Sequence, residues 1–311
     1  YLLYRIIEKT SKKKTVVAAG IILNLSVLFY FKYYDFFIGN INGLFGTDFL
    51  LNHVLLPLGI SFFTFQQIGF LVDAYRNEAE GYSFLDYALF VTFFPQLIAG
   101  PIVTHKEMIP QFQDDAKKKF DIENFSTGIY AFVFGMTKKV LVADTFGRGV
   151  DWAFQNAERL NGLAVLLVML SYMIQLYFDF SGYCDMARGI GKMFNIEIPV
   201  NFYSPYKAVD LIDFWKRWHI TLSRFFTQYL YIPLGGSRKG KVRTYLHIFL
   251  IYFVSGVWHG AGWTYIIWGA MHGSVYVLNR ILKRGIEKIP KIITWAVTMT
   301  FFMFSLIFFR S

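Results

Sequence analysis

Apolar runs almost free of charge recur along this chain, at roughly 15–34, 49–72, 84–104, 125–146, 161–180, 244–271 and 292–309. Each is about the length that a helix needs to cross the ~30 Å hydrocarbon layer of a bilayer. Inside that layer only helices and closed barrels satisfy every backbone polar group. Because the runs continue from end to end, the expected fold is an all-α, polytopic integral membrane protein, with one membrane-embedded domain over residues 1–311. Charged residues make up only 17% of the sequence, against about a quarter in soluble chains, which points the same way.

The formal charge of +10 raises the question of a nucleic-acid partner. The basic residues stand in short clusters between apolar runs, where they orient spans and meet anionic lipid headgroups, so membrane lipids are the expected partner and nucleic acid is not. The loop "GGSRKGKVR" at 235–243 carries Arg238, Lys239, Lys241 and Arg243 without an acid, and by the positive-inside bias it is cytoplasmic, as is "KTSKKK" at 9–14. The lone Cys184 excludes an internal disulfide or a cysteine-based metal site, and no metal is expected. The chain starts at Tyr1 without a visible cleavable signal, and its last apolar run stops at Arg310 and Ser311. The expectation is therefore a domain truncated at one or both ends.

Several runs are interrupted. Pro57 and Gly59 break the second, Pro95, Gly100 and Pro101 the third, and Lys138 with Lys139 the fourth, which predicts kinked or re-entrant helices around a protein-lined cavity. Between the fifth and sixth lies 204–236, where Leu211, Phe214, Trp215, Trp218 and Leu222 recur at steps of three and four. That spacing predicts an amphipathic helix lying in the membrane interface.

An ionisable group at membrane depth costs about 2.5–3.5 kcal/mol on insertion scales, so each should face a cavity, find a partner or perform chemistry. Three groups qualify: His259 within "SGVWHGAGW", the series Tyr172, Gln175, Asp179 and Asp185, which share one face if their helix continues, and His219 within "DFWKRWHITLS". On the residues alone, His259 fits either a hydrogen bond across a helix interface or a functional site. Asp179 fits either a site or a pair with an arginine such as Arg188. His53, His105, His247 and His272 read as structural, with His272 the leading exception.

The strings "LPLGISFFTFQQIGFLVDAYR" (56–76), "FFPQLIAGPIV" (93–103), "QLYFDFSGYCDMARGIG" (175–191), "DFWKRWHITLSRFFTQYLYIPLGG" (213–236) and "SGVWHGAGWTYIIWGAMHG" (255–273) together resemble the membrane-bound O-acyltransferases. The likeness is to the bacterial branch that acetylates exopolysaccharides such as alginate, and peptidoglycan, with a more distant likeness to the exporter of D-alanine to teichoic acids. The resemblance implies a helical fold around a central tunnel in the cytoplasmic (inner) membrane, with His259 and His219 as catalytic residues. The family's histidine in a tryptophan-histidine-glycine motif matches His259, and its second histidine matches His219 on the cytoplasmic side.

What the resemblance implies chemically is acetyl transfer from a cytoplasmic donor, most simply acetyl-CoA, with no tightly bound cofactor. The acceptor is an extracytoplasmic polysaccharide, reached through a partner acetyltransferase. A neutral imidazole at His259 would act as general base, Trp258 or Gln175 would steady the oxyanion, and Asp179 would bind substrate. Arg217 and Arg224, with Arg238 and Lys239, would suit an anionic donor. One departure stands out: the family pattern after the histidine segment is arginine-aspartate-tyrosine, where this chain has Thr227, Gln228 and Tyr229. Gln228 offers only neutral hydrogen bonds there. Two rivals remain at this level. A lipid or protein acyltransferase of the same family would need a lateral gate for a long chain, and a proton-coupled transporter also sets His and Asp in broken helices.

Overall fold

The apolar runs become helices whose lengths follow from how their few polar groups are paired. The computed structural model describes residues 1–310, and among them no strand occurs. Three helices are long and apolar enough to cross a membrane: Lys13–Phe45, Gly162–Met193 and Lys291–Arg310. Outward side chains, among them Ile22, Leu141, Leu167 and Val297, stay exposed on the protein, and only lipid makes such a belt favourable.

The Gly162–Met193 helix runs well past the expected end at 180. Its acids do not stop it because each is answered by an opposite charge: Lys138 Nζ lies 2.6 Å from Asp185 and Lys139 Nζ 2.8 Å from Asp179. Those lysines come from the neighbouring helical stretch over 122–155, which passes through a π turn at Lys138–Ala143 instead of breaking. The two stretches touch along a glycine seam. A Cβ on Gly135 would lie 2.5 Å from the Gly182 carbonyl oxygen, and one on Gly128 would lie 2.6 Å from that of Gly189. Both pairs repeat after seven residues, two helical turns, so only hydrogen separates the backbones along one line.

The second and third runs are not plain spans. Residues 46–59 are irregular apart from a turn, and the helix begins only at Ile60, after Gly59 in a left-handed conformation. The Asp35 carboxylate accepts the backbone N–H groups of Asn52 and His53 at 2.8 and 2.9 Å, holding the irregular stretch in place. The third run is a helix at Phe84–Thr92, one turn at Phe94–Leu97, and a non-helical stretch over 98–104. Buried Ile102 donates its N–H to Thr221 Oγ1 at 2.9 Å, and its carbonyl accepts from Arg224 at 3.1 Å. This is the re-entrant backbone that the prolines predict, with its polar groups satisfied by protein.

Region 204–236 corrects the sequence reading. Leu211, Phe214, Trp215, Trp218 and Leu222 are all buried against protein, not laid into lipid. The chain forms two short helices, Leu211–Arg217 and Ile220–Phe226, then a π turn at Thr227–Tyr231. A helix face buried on protein carries the same 3.6-residue pattern as one lying on a bilayer, so periodicity could not separate them. The π turn is tied inward by Tyr229, whose hydroxyl donates to Asp73 at 2.6 Å, with His105 Nε2 at 3.1 Å from the same carboxylate oxygen. His105 is thus structural, joining Ile60–Tyr75 to His105–Gln113.

Candidate functional site

The sixth run ends as a helix at His259, crosses Gly260, Ala261 and Gly262, and resumes at Trp263. The glycines make this break possible. A Cβ on Gly260 would run into the Tyr265 ring, and Gly256 and Gly269 pack backbone to backbone, so that a Cβ on Gly256 would lie 2.9 Å from the Gly269 Cα. The two helices therefore meet closely at the point where His259 projects. Its imidazole is surrounded by aromatic rings, edge-on to Trp268 at 5.2 Å and to Phe309 at 5.1 Å, with Trp258 at 4.9 Å. Among the described residues no hydrogen-bond partner holds its ring nitrogens, and the side chain lines a cavity of about 520 Å³.

His219 lines the same cavity from a different part of the chain. It occupies the gap between the two short helices with φ of 46°, a left-handed conformation costing about 1–2 kcal/mol for a residue with a Cβ. The gap is held open by residues 201–203. Ile220 N–H donates to the Asn201 carbonyl at 3.0 Å, and Tyr203 N–H to the Arg217 carbonyl at 2.9 Å. The Asn201 side chain then fixes the imidazole. Its Oδ1 accepts the Thr221 backbone N–H at 3.1 Å and faces His219 Nδ1 at 3.2 Å. The ring also stands edge-on to Phe180 at 4.8 Å. Complete burial, with the His259 imidazole nearby, holds the pKa of His219 well below the ordinary histidine range.

The remaining sequence candidates divide. Trp258 lines the histidine cavity, and its indole Nε1 is buried without a hydrogen-bond partner among the described residues. Asp179 also lines it and pairs with Lys139, not with Arg188, which donates instead to the Ile198 carbonyl at 3.3 Å. Gln175 lies against Gly147 of the neighbouring helix and outside the cavity lining. Asp185 also stays outside, on its pair with Lys138. Arg217 is taken up by Asp213 at 2.9 Å and by the Tyr203 ring.

Arg224 and Gln228 line a second cavity, of about 670 Å³, with Lys216, Arg280 and Ser237. Arg224 is already committed to Glu107. The two cavities share no lining residue. Between them stand the 215–222 segment and the end of the Lys241–His259 helix: Trp215, Leu222 and Ser255 face one side, and Trp218, His219 and Trp258 the other. His272 faces neither. It is fully buried, with Nε2 2.9 Å from Ser305 Oγ, whose hydroxyl donates to the Phe302 carbonyl, so it bolts the last two helices together. Lys139, which in the sequence reads only as an interruption of the fourth run, lines the histidine cavity, as does Lys32, and Asn201 holds His219; nothing in the sequence marked Lys32 or Asn201.

The sequence model of the membrane-bound O-acyltransferase (MBOAT) family matches residues 71–309, a stretch that includes both histidines. The chain belongs to that family. It is 45% identical, over 98% of its length, to a peptidoglycan O-acetyltransferase of Helicobacter pylori, and covers 63% of that protein. It is 40% identical over 94% of its length to a probable alginate O-acetylase, AlgI, of Pseudomonas aeruginosa, covering 56% of it. A teichoic acid D-alanyltransferase of Streptococcus thermophilus is 28% identical over 79% of the chain, of which 61% is covered. The chain therefore spans about six-tenths of the length of these curated relatives.

Proposed function

We propose that this MBOAT chain is the core of an O-acetyltransferase of the inner membrane, moving an acetyl group from a cytoplasmic donor toward an extracytoplasmic polysaccharide such as peptidoglycan or alginate. The observation that carries this reading is the convergence of His219 and His259, 40 positions apart, on one apolar-walled cavity. A histidine whose ring nitrogens are unengaged and which is enclosed by rings is suited to accept the proton of an attacking hydroxyl. His259 is the general base in this reading, and His219 the second catalytic group. Trp258 stands beside both with an unmatched indole donor, suited to a developing oxyanion.

The second cavity is the donor entrance. Lys216 and Arg280 line it near the basic loop, and their charge suits the phosphates of acetyl-CoA. The acceptor enters by the mouth at Lys139 and Asp179, and is a polysaccharide or the hydroxyl of a partner acetyltransferase that passes the group on. The names of the two more similar relatives, an acetyltransferase of peptidoglycan and an acetylase of alginate, support the acetyl group and the glycan class.

The test is transfer from labelled acetyl-CoA by the full-length protein in sealed vesicles, with glycan and partner inside and donor outside. Retained glycan-bound label is the expected result. Preference for a long-chain acyl donor would replace the reading with lipid or protein acylation, and solute flux without covalent product would replace it with transport.

A further inference from the structure

The Lys13–Phe45 helix carries a π turn at Phe29–Tyr33, and π turns shift the face that the following side chains present. Here the shift sends two consecutive residues to the end of one other helix. Lys32 Nζ donates to the Trp258 carbonyl, and Tyr33 Oη donates to the Val257 carbonyl at 2.8 Å. Both carbonyls belong to the last turn of Lys241–His259, where a helix leaves four carbonyls without partners of their own. The Lys32 ammonium also donates to Ser61 Oγ at 3.2 Å, lies 5.6 Å from the Trp258 ring centroid and lines the cavity of His259.

An ammonium at mid-length of a membrane helix is expensive. A cation at a helix C-terminus recovers part of that cost through the negative end of the helix dipole. The contact also has a geometric effect. The turn that bears His259 is packed on one side against Gly269 and the Tyr265 ring, but Gly260, Ala261 and Gly262 bring no donor to its free carbonyls, so the two side-chain donors fix it from the other side.

We propose that Lys32, assisted by Tyr33, is a positioning residue for His259: it clamps the last helical turn so that the imidazole keeps one orientation in the cavity. This rests on the reading of His259 as the base of acetyl transfer. The clamp acts on the histidine through its backbone, so its loss should lower turnover and leave donor binding alone.

The experiment uses the full-length protein in lipid nanodiscs, with Lys32→Met, Lys32→Arg and Tyr33→Phe. Lys32→Met should lower kcat by roughly 10- to 100-fold, the scale of misplacing a reacting group by about 1 Å, with KM for acetyl-CoA unchanged. Lys32→Arg should regain most of the loss, and Tyr33→Phe should show a smaller one. Hydrogen exchange of the peptide spanning 254–262 should quicken about tenfold or more in Lys32→Met and not in Lys32→Arg. Unchanged kcat in Lys32→Met, unchanged exchange, or a loss that Arg does not relieve and that raises KM in step would each overturn the proposal. If the unaltered protein transfers no acetyl, the acetyl reading falls, and the exchange measurement still decides whether Lys32 holds the turn.

Discussion

His219 Nδ1 lies 3.2 Å from Asn201 Oδ1, and that oxygen also accepts the backbone N–H and the hydroxyl of Thr221. An atom that accepts a backbone N–H must be the amide oxygen, so the Nδ1 facing it carries the proton. The His219 nitrogen left without a proton is therefore Nε2. In the sequence, the neighbours Lys216 and Arg217 suggest a donor-positioning role for His219. In the fold Lys216 lines the other cavity and Arg217 is paired with Asp213, so neither neighbour lends His219 that role.

Asn201→Ala should consequently mimic part of His219→Ala. Each should lower kcat for acetyl transfer by about tenfold or more, and the double variant should be little worse than His219→Ala alone, because residues acting as a unit are not additive. Asn201→Ala should also lower stability by about 1–3 kcal/mol through the unpartnered Thr221 and His219 donors. Additive losses in turnover would mean that Asn201 acts on something other than the imidazole.

His259→Ala should insert and purify like the unaltered protein, because ring contacts and glycine packing build its surroundings. Acetyl transfer should fall by roughly 100- to 10,000-fold, the span for loss of a general base. His259→Gln should be about as inactive, since an amide cannot take a proton at neutral pH. Near-normal turnover in His259→Gln would reduce the residue to a matter of shape and hydrogen bonding.

Ser237→Cys in a Cys184→Ser background tests the sidedness of the basic loop. With Cys184, the one cysteine of this sequence, replaced, the introduced thiol is the single labelling site in it. The introduced thiol should resist impermeant maleimides in intact cells and react in inverted vesicles, as the excess of Arg and Lys over acids requires. Ready labelling from outside would exchange the donor and acceptor entrances.

Gly135→Ala should destabilise by about 1–3 kcal/mol, because its Cβ would collide with the Gly182 carbonyl 2.5 Å away and neither backbone can yield. Gly149→Ala, with nothing within 4 Å of its Cβ, is the control, and should be neutral or up to about 1 kcal/mol stabilising. Thermal unfolding in one detergent compares the two. Equal midpoints would show that the seam opens without cost.

Much of the fold could be read from the chain because lipid allows so few solutions: apolar length announced the three long helices, and Pro95, Gly100 and Pro101 the re-entrant stretch. His219 and His259 stood out because an ionisable group in such surroundings demands a reason. What could not be read were contacts made across the chain. Lys32 falls within the expected span 15–34, close enough to its end to read as a side chain reaching for the interface, and its partner Trp258 lies 226 positions away. Asn201 is an ordinary loop residue until the fold sets it under His219. Gln175 and Arg217 show the converse, since plausible chemistry in sequence became packing and a surface pair in space.

The wall between the two cavities has an electrical consequence. Three tryptophans, Trp215, Trp218 and Trp258, stand where one chamber ends and the other begins, and indole rings offer no path for a hydrated ion. In an energised membrane the voltage would fall mainly across this thin apolar partition instead of along a water-filled length. A neutral acetyl group handed through it does no work against that field, whereas a phosphate-bearing carrier would. Under the proposed transfer, such a partition would pass an acyl group while keeping ion gradients closed.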